Sequence, residues 1–262
     1  MSDATKQGRF VWYDLMTSDP KAAEDFYGKI IGWGTQAFDA GDNPYTMWTN
    51  NENPLGGVME LPEEARAAGA PPNWIGYVAV ENVDALAEET VRLEGSILHP
   101  PTSIEGAGRF AVLADPQGAV FAVYAHSGEE EGPSGPPQVG QFSWHELATS
   151  DYKKALSFYS ELFGWTPQDA MDMGDAGIYQ LYGLGDPPMG GMFNKPDEMP
   201  GPPMWLYYIS VQDVTTSVET VKELGGQVVN GPMEVPGGDM IAQCLDPQGA
   251  LFALHSAASS SG

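Results

Sequence analysis

The chain repeats itself. Phe10, Trp12, Leu15, Thr17, Ser18 and Asp19 return, in order, as Phe142, Trp144, Leu147, Thr149, Ser150 and Asp151. Phe26 and Tyr27 return as Phe158 and Tyr159, Gly32 and Trp33 as Gly164 and Trp165, and Gly56 and Gly57 as Gly190 and Gly191. Trp74 matches Trp205, and the run from Asp115 to Ala119 matches the run from Asp246 to Ala250. The offset drifts only between 131 and 134. A conserved order at a near-constant offset marks a duplicated unit, so any fold for this chain must be built twice. The expected boundaries are 8–126 for the first copy and 139–256 for the second. Residues 127–138, rich in Gly, Pro and Glu, form the linker between them.

Each copy divides again. Residues 9–17 alternate as a strand. Ser18 or Asp19 can cap a helix that carries Pro20 in its first turn and Ala23, Phe26, Tyr27, Ile30 and Ile31 as one apolar stripe. Gly32 ends it. Three short strands follow, near 34–38, 45–49 and 57–61. The plan then recurs with a strand at 74–80, a helix at 83–93, and strands near 97, 109–114 and 120–124. In the second copy Ala155, Phe158, Tyr159, Leu162 and Phe163 rebuild the stripe. The chain therefore reads as four βαβββ units, an α+β protein. Two units side by side would make a curved eight-stranded sheet with helices on its convex face and an open concave cleft, giving two such sheets in all.

Charge narrows the partners. The 11 Lys and Arg face 36 Asp and Glu, a formal net charge of −25, which repels phosphate backbones and argues against nucleic acid. Single Cys244 excludes an internal disulfide and fits a cytoplasmic location. No stretch is long and apolar enough for a membrane span or a signal peptide, so no membrane partner is expected.

Some of these motifs carry a family resemblance. They are the strand leading into Thr17, Ser18, Asp19 and on to Phe26 and Tyr27, the Ile30 to Trp33 run, the helix entry from Val80 to Asp84, and the Asp-Pro-Gln-Gly run before each last strand. Together they resemble the vicinal oxygen chelate superfamily of glyoxalases, bleomycin-binding proteins and extradiol dioxygenases, and within it the tandem glyoxalase-like proteins of the hydroxylase type. The resemblance implies tandem glyoxalase-like domains acting on a small organic molecule. It also implies a divalent metal held by His, Gln or Glu on inward strand positions. Here those positions carry Trp12 and Trp144, Ile75 and Leu206, and Ala122 and Ala253. None can ligate a divalent ion, so no metal and no cofactor are expected. The fourth usual position has no clear counterpart; Glu60 lies near it in the first copy, with Phe193 and Asn194 opposite in the second.

The chemistry must then come from other residues. If Trp12 faces the cleft, strand alternation puts Asp14 and Met16 beside it, and Trp144 puts Glu146 and Ala148 there in the second copy. A carboxylate beside an indole could act as a general base, with its pKa raised by burial, or pair with a cationic ligand. It could equally be satisfied structurally at a polar strand end. His145 adjoins Glu146 but points to the opposite face, so the two cannot share one ion from a regular strand. His99, His126 and His255 have no partner nearby in sequence. Tyr77 and Tyr208 share the parity of Ile75 and Leu206 and could line the cleft with Trp12 and Trp144, whereas Trp74 packs toward the helix. Arg109 is the one basic candidate on a cleft strand of the first copy.

Three readings follow. The first is a metal-independent lyase, isomerase or hydroxylase with Asp14 or Glu146 as base and Trp12, Trp144, Tyr77, Tyr208 and Arg109 as binding residues. The second is a non-catalytic protein that binds and sequesters a cationic aromatic antibiotic. The third is a duplication whose clefts are filled by its own side chains. The expected partner is a small molecule, and the expected state is a monomer with pseudo-dimeric halves or a homodimer.

Overall fold

The computed structural model describes residues 7–38, 44–128, 135–199 and 201–258. Residues 129–134, half of the linker expected at 127–138, lie outside them. The first half of the chain runs β1 (Phe10–Thr17), α1 (Pro20–Ile31), β2 (Gly34–Phe38), β3 (Tyr45–Asn50), β4 (Asn53–Glu60), α2 (Glu63–Ala67), β5 (Asn73–Ala79), α3 (Val83–Arg92), β6 (Ser96–Ile104), β7 (Gly108–Ala114) and β8 (Val120–His126). The second half runs β9 (Phe142–Thr149), α4 (Tyr152–Phe163), β10 (Thr166–Asp172), β11 (Ile178–Gly183), β12 (Gly190–Asn194), β13 (Met204–Ser210), α5 (Val214–Glu223), β14 (Gln227–Glu234), β15 (Met240–Leu245) and β16 (Leu251–Ser256).

Two mixed eight-stranded sheets result. One is ordered β2-β3-β4-β1-β5-β8-β7-β6 and the other β10-β11-β12-β9-β13-β16-β15-β14, the same order twice. The four βαβββ units are present. Within each, the first strand pairs parallel with the fourth, as β1 does with β4 and β5 with β8. That pairing requires a crossover, which the helix supplies.

The long helices begin and end as their sequences dictate. Asp19 caps α1 by accepting from the Ala22 N–H, Pro20 opens it, and Gly32 closes it in the left-handed region at φ 87°. Asp151 and Gly164 do the same for α4. The short helix α2 was not expected: it buries none of its residues, so it has no apolar stripe to betray it, and rests on Pro62 ahead of two acidic residues in its first turn. A single 3-10 turn at Gly174–Ala176 is likewise unexpected.

Compact packing divides the chain into two units. One holds residues Met1–Val11, Gly76–Gly135 and Trp144–Leu206. The other holds Trp12–Ile75, Pro136–Ser143 and Tyr207–Gly262. Each unit thus joins a βαβββ module of one copy to a module of the other. In the unit containing α1, Tyr27 and Phe26 pack edge-on against Phe252 of β16, and Tyr27 also packs against Trp74. In the unit containing α4, Phe121 of β8 meets Phe158, Tyr159 and Phe163.

Two repeated motifs find their partner here. Asp246 accepts backbone N–H groups from Gln248 and Ala250, and its second oxygen accepts the Tyr27 hydroxyl at 3.1 Å. Asp115 is held in the same way by Gln117, Ala119 and Tyr159. The aspartate of each Asp-Pro-Gln-Gly turn therefore binds the tyrosine of the opposite copy's Phe-Tyr pair. Burial raises the pKa of both carboxyls and holds the Tyr27 hydroxyl well above its ordinary value, so it stays a donor. Trp74 and Trp205 complete each chain by donating their indole N–H to Tyr27 and Tyr159, at 3.0 and 3.1 Å.

Candidate functional site

The side chains of β1 alternate. Tyr13, Leu15 and Thr17 are buried on one face; Trp12, Asp14 and Met16 share the other. On that second face Tyr45 of β3 joins them. The Trp12 indole N–H lies 2.8 Å from the Tyr45 oxygen and 2.9 Å from Asp14 Oδ1, and the Tyr45 hydroxyl donates to the same Asp14 oxygen at 2.7 Å. Asp14 is 5 % exposed, while Trp12 and Tyr45 are half-buried.

β9 repeats the arrangement in the other compact unit. Trp144 donates to the Tyr179 oxygen at 2.8 Å, and the Tyr179 hydroxyl donates to Glu146 Oε2 at 2.9 Å. The longer glutamate is half-buried where the aspartate is buried. The order is the same in both: indole N–H to phenol oxygen, phenol O–H to carboxylate. Asp14 therefore already holds the Trp12 and Tyr45 donors and Glu146 the Tyr179 hydroxyl, and a ligand would meet a half-exposed indole and phenol beside each carboxylate.

The repeated glycine pair makes room for this. Asp14 sits in register with Gly57, and Glu146 with Gly191. A methyl group on Gly57 would overlap the Tyr45 ring, and one on Gly191 would overlap Tyr179. The preceding glycines have a different reason: at Gly56 and Gly190 the added carbon would strike the carbonyl oxygens of Tyr13 and His145. The pair is thus one glycine for backbone approach and one as the floor under a tyrosine.

Sequence reasoning missed Tyr45 and Tyr179. A signal existed: each stands twelve places before the second glycine of its pair, and that glycine pair was itself visible as a repeat.

The remaining candidates are not all gathered at these relays. Tyr77 is half-buried with its ring 6.2 Å from Phe110. Tyr208 is 2 % exposed and accepts from Gln243 at 3.0 Å, so it is packed more than presented. Arg109 forms a bidentate pair with Asp84, at the start of α3, at 2.7 Å for each bond, and also donates to Ser103. Its guanidinium fork is already filled. His145 stacks on Phe10 at 4.3 Å and hydrogen-bonds the Met189 carbonyl; burial lowers its pKa to about 4. Cys244 is buried, and burial pushes its thiol up to about 11, which leaves it unreactive. His255 has partners that sequence proximity could not show: Ser143 Oγ and Asp239 Oδ2, each at 3.0 Å.

The residues present do not supply ligands for the metal that the resemblance implies. Trp12 and Trp144 spend their indole N–H on tyrosine, and an indole offers no lone pair to an ion. Ile75, Leu206, Ala122 and Ala253 are buried hydrocarbon. Among the described residues no group of three His, Cys, Asp or Glu is placed to hold an ion. This donor set does not fit a divalent metal.

Comparison with known proteins defines the class. The family model described as "Glyoxalase/Bleomycin resistance protein/Dioxygenase superfamily" matches residues 9–123 and again 140–254, and the chain belongs to that superfamily. It is 32% identical over 252 residues to "Putative glyoxylase CFP32" of Mycobacterium tuberculosis, covering 95% of each chain. It is also 32% identical over 259 residues to "Anthracycline biosynthesis protein DnrV" of Streptomyces peucetius, covering 94% of this chain and 92% of that one. In fold it resembles the Mn(II)-bound glyoxalase of Novosphingobium aromaticivorans, with a TM-score of 0.63 and 17% identity over 96% of this chain and 82% of that one. No helix among the described residues is long and apolar enough to cross a membrane.

Proposed function

We propose that the protein binds a planar aromatic small molecule at the two Trp–Tyr–carboxylate relays and works there without a divalent metal. The observation that carries this reading is the recurrence of one relay on both copies, half-exposed, over a glycine kept bare for it. An indole and a phenol side by side offer stacking area, and the carboxylate offers an acceptor for a hydroxyl or an ammonium group. The overall charge of −25 favours a cationic ligand. A relative named for anthracycline biosynthesis, a chemistry of fused aromatic rings, supports the same ligand class.

In the catalytic form of this reading, Asp14 and Glu146 accept a proton from the bound molecule, and the Tyr45 and Tyr179 hydroxyls stabilise the carboxylate before transfer. In the binding form the same groups only hold the ligand. Arg109 is left out because Asp84 occupies it. We assign the two copies to 8–126 and 139–256, and the single Cys244, buried and unreactive, suits a cytoplasmic protein.

The test is a tryptophan-fluorescence titration with an aminoanthraquinone, with thermal shift alongside. Binding should quench emission, weaken at least ten-fold in Trp12→Ala combined with Trp144→Ala, and survive a chelator unchanged. A thermal shift with Ni²⁺ or Zn²⁺ that a chelator abolishes would overturn the metal-free reading. Asp14→Asn with Glu146→Gln separates the two forms: loss of turnover with binding kept indicates a base, whereas stoichiometric binding without turnover in the unaltered protein indicates sequestration.

A further inference from the structure

The two copies differ sharply at one place. In the compact unit that contains β16, Ser143 of β9 lies 3.0 Å from His255 Nδ1, and His255 Nε2 lies 3.0 Å from Asp239 Oδ2. Asp239 is steadied in turn by the Ala258 N–H on its other oxygen at 2.8 Å. The equivalent places in the first copy carry Val11, Tyr124 and Gly108, so nothing in the repeat itself demands these three residues. They occur in one copy only; His255 and Asp239 stand 16 places apart, and Ser143 stands 112 places from His255.

The geometry points to a second site: Ser143, His255 and Asp239 as a nucleophile, base and orienting acid that accept an acyl group from a small activated ester. Two features support it. Asp239 can only accept, so the His255 proton facing it sits on Nε2, and Nδ1 lies beside Ser143 Oγ, whose hydroxyl also reaches the Tyr208 carbonyl oxygen at 3.3 Å. The ring nitrogens are used in the opposite order from the familiar serine triad, but the roles are the same, and such triads are recognised by roles. Access is available: the side chains of His255 and Asp239 are 22% and 40% exposed, and Ser143 is half-buried.

The step balances simply. Ser143 Oγ attacks the ester carbonyl while its proton passes to His255 Nδ1. The imidazolium faces Asp239. Collapse of the tetrahedral adduct breaks the bond to the alkoxide or phenolate, which leaves with that proton as an alcohol or phenol. The products are acyl-Ser143 and the free alcohol, and water later returns the serine and a carboxylic acid. β9 is an interior strand of its sheet, and an interior strand spends most of its N–H groups on its neighbours, although pairing with β12 starts only at His145. The developing oxyanion therefore meets water. One missing oxyanion donor costs about 10²–10³ in rate, so stoichiometric acylation is expected rather than rapid turnover.

This site is independent of the aromatic-ligand reading, and its test uses neither metal nor aromatic amine. The full chain is treated with p-nitrophenyl acetate and, separately, with a fluorophosphonate, followed by peptide mapping. One acyl or phosphonyl group per chain on Ser143 is expected. Labelling should disappear in Ser143→Val and fall by about ten-fold or more in His255→Tyr, since general-base assistance is worth about 10²–10⁴. Both substitutions import residues that the first copy holds at the same places, so the sheet has precedent for them. Absence of label on Ser143 in the unaltered protein overturns the proposal, whatever the variants do. So does label on Ser143 that is unchanged by His255→Tyr in protein of unchanged melting temperature, which would mean that the hydrogen bonds only tie strands together.

Discussion

Trp–Tyr–carboxylate chains occur in two settings in this molecule, and exposure tells them apart. The chains Trp74–Tyr27–Asp246 and Trp205–Tyr159–Asp115 are buried, with both indoles below a tenth exposed. The chains through Tyr45 and Tyr179 are half-open. Gly57→Ala and Gly191→Ala should lift the open tyrosines from their floor at a cost of about 1–3 kcal/mol, as overpacking does, and abolish ligand quenching before they unfold the protein. Urea denaturation beside the fluorescence titration checks both halves of that expectation. His145 gives a pH expectation at the same scale. Its folded pKa, about 4, lies below the ordinary 6.5, so the native state refuses a proton that the unfolded chain accepts. That contribution is intact above pH 6.5 and is lost as pH falls toward 4, about 2 kcal/mol between pH 7 and pH 5. His145→Tyr, the residue that stands at Tyr13 in the first copy, should flatten this part of the acid sensitivity of the urea midpoint. Legibility at this scale was partial. Asp14 and Glu146 could be paired with their tryptophans because both lie on one strand two places apart. Tyr45 and Tyr179 could not, because they reach the site from another strand.

Elements were more legible than sites, because their signals are local. The caps Asp19 and Asp151 and the stops Gly32 and Gly164 act within one turn of helix, and all four do what their residue types dictate. Asp19→Ala and Asp151→Ala should each cost about 1 kcal/mol in thermal or urea unfolding. The ends of strands were harder. β4 begins at Asn53, earlier than the apolar pattern from Gly57 suggests, since Asn53 and Pro54 pair with Asn50 and Thr49 through the backbone whatever their side chains. β6 extends to Ile104 across Pro100 and Pro101, which its place at the edge of the sheet allows. The repeat shows where a strand is; the partner strand shows where it stops.

The whole molecule joins modules across the duplication. Tyr27 of the first copy binds Asp246 of the second, and Tyr159 of the second binds Asp115 of the first. Tyr27→Phe should cost about 1.5–3 kcal/mol, the value of a hydrogen bond to a charged group, and Tyr159→Phe a similar amount, both measured by urea denaturation. A fragment of residues 7–128 holds Tyr27 and Asp115 but neither of their partners. It should dimerise, rebuilding Tyr27–Asp115 pairs between two chains; a folded monomer by sedimentation would contradict this.

By itself the sequence determined the duplication, the βαβββ plan, the ends of the long helices, the family, and which residues stand at three of the usual metal positions. Those features are written in periods of two and 3.6 and in motifs of a few residues, which neighbouring positions suffice to express. The tertiary structure alone decided which side chains meet: Tyr45 over Gly57, Tyr27 on an aspartate 219 residues away, and Ser143 beside His255 and Asp239. A side-chain hydrogen bond needs its atoms within about 3 Å, and only the folded sheet brings residues so distant in sequence that close.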